Sequence, residues 1–78
     1  MLTPAQCRAA RGLIDWSQME LAERAGVGIV TIRQLEAGNH APRRATIEVV
    51  RRALEAGGVE FIDENGGGAG VRLRKAKR

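Results

Sequence analysis

Ser17-Gln18-Met19-Glu20-Leu21-Ala22-Glu23-Arg24-Ala25-Gly26-Val27-Gly28-Ile29-Val30-Thr31-Ile32-Arg33-Gln34-Leu35-Glu36-Ala37-Gly38 is the stretch that decides the fold. Ser17 with Glu20 three residues later is a capping-box start, and Trp16 ahead of the cap can staple onto Leu21 at the fourth helical position. Leu21, Ala22 and Ala25 give this short helix an inward face, and Gly26 stands where a left-handed residue ends it. A second helix follows over 28–37 and stops at Gly38. A link of about three residues does not let the two lie antiparallel in long contact, so they cross steeply. Two short helices joined by a tight turn containing glycine are the signature of a helix-turn-helix.

Working outward, Thr3-Pro4-Ala5-Gln6 predicts a helix start upstream. Thr3 serves as N-cap, Pro4 suits the first helical position, and Gln6 closes a capping box. This helix is expected to run to about Gly12, with Cys7, Ala10 and either Leu13 or Ile14 facing inward. Cys7 reads as a small buried hydrophobe. Downstream, Pro42 in His40-Ala41-Pro42-Arg43 bars a continuous helix. Ile47, Val50 and Leu54, widened by Val49 and Ala53, predict a helix over 44–56, which Gly57-Gly58 stops.

The last third changes character. Val59-Glu60-Phe61-Ile62 and Val71-Arg72-Leu73-Arg74 flank the turn-forming stretch 63–70, and the pattern predicts a β-hairpin, a structureless glycine-rich tail being the alternative. A phosphate-cradling loop is not expected, because no helix follows and no Lys-Ser/Thr pair is present. The expected class is mainly α: four to five helices with a short C-terminal hairpin. The division is a helical domain over 1–57, then hairpin and basic tail over 58–78. An isolated hairpin is marginal in water. Pairing with the same hairpin of a second subunit would bury its apolar face, making 58–78 a candidate dimerisation element.

Composition narrows the function. The chain has 78 residues, enough for one modest core, and Trp16 and Phe61 are its only aromatics. The net charge is +4 and the isoelectric point about 10.6, which suits a polyanionic partner. Arginines are spread over the first two thirds, and Arg72, Arg74, Lys75, Lys77 and Arg78 crowd the end, as a solvated terminus or as non-specific phosphate affinity. A single cysteine excludes an internal disulfide and fits a reducing compartment. One histidine and one cysteine cannot build a zinc site without a partner chain. No apolar run approaches the roughly 20 residues a membrane span needs. Arg8 and Arg11 interrupt any signal-peptide pattern. A cytoplasmic protein is expected, without membrane contact. No nucleophile–base pair or metal set is present, so neither catalysis nor a cofactor is expected.

On a helical projection of about 100° per residue, Ile32 and Leu35 point inward from the helix over 28–37. Ile29, Val30, Arg33 and Gln34 share the opposite side. Arginine pairs with guanine, glutamine with adenine, and apolar groups meet the thymine methyl, so this face suits the DNA major groove. Packing of Ile29 or Val30 on the fourth helix or on a partner subunit stays open beside that reading.

The order Arg8, Ser17-Gln18-x-Glu20-Leu21-Ala22-x-x-Ala25-Gly26-Val27, Ile32-x-x-Leu35-Glu36-x-Gly38, Pro42-Arg43 resembles the lambda-repressor-like helix-turn-helix family of bacterial and phage regulators, the xenobiotic-response-element type. The resemblance covers about Pro4 to Ala56. It implies that Ile29, Val30, Arg33 and Gln34 face bases, and that Gln18, Thr31, Asn39 and Arg43 touch phosphates. It also implies a buried pair between Arg8 and Glu36. Relatives often carry polar residues where this chain has Gly28, Ile29 and Val30.

Two function classes follow. The first is a sequence-specific transcription regulator, a repressor, binding double-stranded DNA as a homodimer on two half-sites about one helical turn apart. There is no room for a ligand-sensing domain, so no small-molecule ligand is expected and control would come through a regulatory protein partner, concentration or proteolysis. The second is a protein-interaction or antitoxin-type module that keeps the fold with weak or partner-dependent DNA binding.

Overall fold

The computed structural model describes residues 2–38 and 42–74. Thr3 opens α1 (Pro4–Ile14) with both halves of the expected capping box. Its hydroxyl accepts the Gln6 N–H at 3.0 Å, and Gln6 Oε1 accepts the Thr3 N–H at 3.0 Å. The helix runs two residues past Gly12 and closes on Asp15, held left-handed at φ 58°. Ile14 packs inward and Leu13 stays exposed, which settles the choice between them.

Ser17 caps α2 (Gln18–Ala25) by accepting the Glu20 N–H at 3.0 Å. The reciprocal half of this box does not form, because the Glu20 carboxylate pairs with Arg24 at 2.6 Å, one turn further on. Gly26 at φ 74° ends α2, and Gly28 starts α3 (Ile29–Ala37) with no side-chain cap. Arg43 precedes α4 (Arg44–Ala56), whose bounds are those the apolar spacing predicts.

The hairpin forms. β1 (Val59–Ile62) and β2 (Gly70–Leu73) are antiparallel, with Val59 opposite Leu73 and Phe61 opposite Val71. Four helices and two strands are thus the whole set among the described residues, and none of these helices is long and apolar enough to cross a membrane.

Cys7, Ala10, Leu21, Ala22, Ile32, Leu35, Val50, Leu54 and Val59 make one core, with Ile14, Trp16, Phe61 and Val71 packed against it. Val59 is fully buried, and full burial of a side chain its size stabilises by roughly 2 kcal/mol. The hairpin lies on α1 and α4 and shares their core through Val59, Phe61 and Val71, while Ile62 and Leu73 stay exposed. Gln6 ties it down: its Nε2 donates to the Gly70 carbonyl at 3.0 Å and to that of Ile62 at 3.4 Å. At the other end Trp16 fits against Gly57, where a Cβ would lie 2.7 Å from the indole Cζ2. Arg24 stacks over the same ring at 5.1 Å.

Candidate nucleic-acid interface

Three residues of α3, Ile32, Leu35 and Glu36, are buried. They occupy one arc of the helix, which leaves the opposite arc free. Arg33, Gln34 and Ala37 are exposed on that arc, and Val30 is 56% exposed. Ile29 sits at the boundary, half-buried and packed against the core. Of the two apolar candidates, then, Ile29 packs and Val30 is presented. Thr31 is half-buried, and Arg43 is exposed directly ahead of α4. Asn39 lies outside the described residues.

The support for this face is a carboxylate. Glu36 is 4% exposed and accepts from Arg11 Nε at 2.6 Å and Arg11 Nη2 at 2.8 Å. Gln18 Nε2 donates to it at 3.0 Å and the Cys7 thiol at 3.2 Å. Burial pushes the Glu36 pKa up, but the hydrogen bonds from Arg11, Gln18 and Cys7 outweigh it and hold the carboxyl below its ordinary range. Arg11 also donates to the Trp16 carbonyl at 3.0 Å, tying the α1–α2 turn into the same cluster. Cys7 is buried as expected, yet it is also a donor. Burial first, then the hydrogen bond to Glu36 and its charge, push the thiol well above its usual pKa.

The expected pairing of Arg8 with the Glu36 carboxylate is corrected here. Arg11 makes that ion pair, and Arg8 donates instead to the Glu36 backbone carbonyl near the end of α3. Helical phase explains the exchange. At about 100° per residue Arg11 falls roughly 40° from buried Cys7, whereas Arg8 falls roughly 100° away, toward solvent. The inward phase of Cys7 was the signal that would have selected Arg11.

Gln18 stands at the first position of α2, half-buried, with its amide engaged by Glu36. Among the described residues no side chain caps α3 or α4 at the N-terminus, and at α2 only the Glu20 N–H has a side-chain acceptor. Uncapped first-turn N–H groups are donors for anionic oxygens.

A family described as a helix-turn-helix domain matches residues 5–61, from the first turn of α1 into β1. The match agrees with the lambda-repressor-like resemblance of the sequence. No curated protein matches the chain.

Proposed function

The chain belongs to the helix-turn-helix domain family, and from that premise we propose that it regulates transcription by setting α3 into the major groove of double-stranded DNA. The observation that carries the reading is the exposed arc of α3, where Val30, Arg33 and Gln34 are presented while the Arg11–Glu36 pair anchors the opposite side. Arg33 would address guanine, Gln34 adenine, and Val30 a thymine methyl. Ile29, at the edge of the arc, would touch a base only with its outer methyls. Gln18, Thr31, Asn39 and Arg43 would hold phosphates on either side of the groove.

Repression through a homodimer is the form that suits so small a domain, because a second half-site adds the area that one copy lacks. The reading involves no catalytic step, cofactor or small-molecule effector, and it places the protein with DNA in the cytosol.

One observation favours a second reading. An exposed valine at the centre of the presented face suits a protein partner as well as a thymine methyl. Binding to a duplex library at several salt concentrations separates the two. A steep salt dependence with a preferred two-fold sequence supports the regulator. Flat salt dependence with no preferred sequence removes it in favour of a protein-interaction or antitoxin-type module with its own protein partner.

A further inference from the structure

Glu36 belongs to α3 but lies on its buried side, and its hydrogen-bond partners come from α1 and α2. One of these, Gln18, heads the helix whose N-terminus the proposed function sets against DNA phosphate. A glutamine amide can present either its oxygen or its nitrogen, and only the nitrogen carries donors. Toward a phosphate oxygen the first is repulsive and the second attractive, so the orientation of the group decides its value. An ionised carboxylate only accepts, and it therefore demands the nitrogen of whatever amide it meets.

We propose that Glu36 is a positioning residue for DNA binding: by accepting one Nε2 proton of Gln18 at 3.0 Å, it fixes the Gln18 amide before DNA arrives and leaves its second N–H for a phosphate oxygen. This rests on the reading that Gln18 faces the phosphate backbone. Arg11 makes the arrangement durable. Its two bonds hold the carboxylate so that Oε1 stays aimed at α2, while Oε2 takes the Cys7 thiol and Arg11 Nε. A free glutamine would have to lose side-chain rotamer freedom on binding, whereas Gln18 has lost it in folding. Residues of α3 would thus act on DNA in two ways, directly through the exposed arc and indirectly through the head of α2.

The test is a double-mutant cycle in DNA affinity on the full chain, using Gln18→Ala, Glu36→Gln and the double variant against the best duplex from the library. Gln18→Ala is expected to weaken binding roughly tenfold in the native background and at most about twofold beside Glu36→Gln. Equal losses in both backgrounds overturn the proposal, because a purely structural Glu36 would leave the Gln18 contact its full value. A second measurement needs no Glu36 variant. In the free native protein the Gln18 side-chain amide is expected to show a high NMR order parameter, with that of exposed Gln34 low. Equal mobility of the two also overturns it. Absence of salt-dependent binding by the native chain would instead remove the DNA reading itself, and the proposal with it.

Discussion

Arg11 and Glu36 face each other across α1 and α3 as a two-pronged ion pair, Nε and Nη2 on the two carboxylate oxygens at 2.6 and 2.8 Å. The glutamate side chain is almost wholly buried and the arginine side chain is 21% exposed. Arginine suits this site because its planar fork matches both oxygens at once, a match lysine cannot make. The pair ties the last turn of α3 to α1 on the side of the helix away from Arg33 and Gln34.

Removing one partner of such a pair leaves the other buried without its countercharge. Arg11→Ala is expected to cost roughly 3–5 kcal/mol of stability. Arg8→Ala, which loses one hydrogen bond from an exposed side chain, is expected to cost about 1 kcal/mol. Urea unfolding of the two variants checks the order, and equal losses would refute the exchange of roles between these arginines.

The same carboxylate gives the protein an acid limb. Glu36 titrates below its ordinary value of about 4.3 when folded. Its contribution is therefore complete above about pH 4.3 and is lost as the pH falls through the lower native pKa. Glu36→Gln is expected to be less stable at neutral pH but to lose less on acidification between about pH 5 and 2. Parallel stability curves for the two proteins would contradict this.

Cys7 supplies the opposite limb. Burial, reinforced by Glu36, raises the thiol above its free value of about 8.5, so its contribution is complete below that pH and is lost as the pH climbs toward the native pKa. Thermal melts above about pH 8.5 are expected to fall faster for the native chain than for Cys7→Ala. The folded thiol is expected to resist alkylation at neutral pH and to react on unfolding.

On the exposed arc the effects are expected in recognition, with stability unchanged. Arg33→Ala and Gln34→Ala should each lose about 1–3 kcal/mol of discrimination at particular base pairs. Competition binding against a panel of single-base operator variants reads this directly. A uniform loss over all sequences would reassign these side chains to the backbone.

Gly57→Ala would ordinarily stabilise the end of a helix, since its backbone is right-handed at φ −79°. Here the added methyl would meet Trp16 carbons at 2.7 and 2.8 Å and Ile14 Cδ1 at 3.0 Å. A loss of roughly 1–3 kcal/mol is expected, with a shifted tryptophan emission. A gain in stability would mean that the indole can swing aside without cost.

What the sequence discloses here is local. The capping groups at Thr3 and Ser17, the glycine stops at Gly26 and Gly38, and the apolar spacing of α4 act within a few residues, so they place the helices. The exposed arc of α3 follows from periodicity for the same reason. The partner of Glu36 was legible only through helical phase, because two arginines three residues apart both reach α3 and the inward phase of Cys7 alone separates them. The covering of the hairpin by α1 and α4 was hidden. Nothing local in Val59 or Phe61 says which chain will bury them.

The Gln6 amide, near the head of α1, hydrogen-bonds to the Gly70 carbonyl 64 residues further along. On a ribosome this bond has no acceptor until β2 has cleared the exit tunnel. Until then α1 can rest its apolar side on α3 and α4, but its Gln6 amide lacks its partner in the second strand. Most of the core is brought together by the four helices, but closure of the fold waits on β2, which emerges after all of them. A truncated translation product would therefore carry every residue of the helix-turn-helix and still lack the strand that seals it.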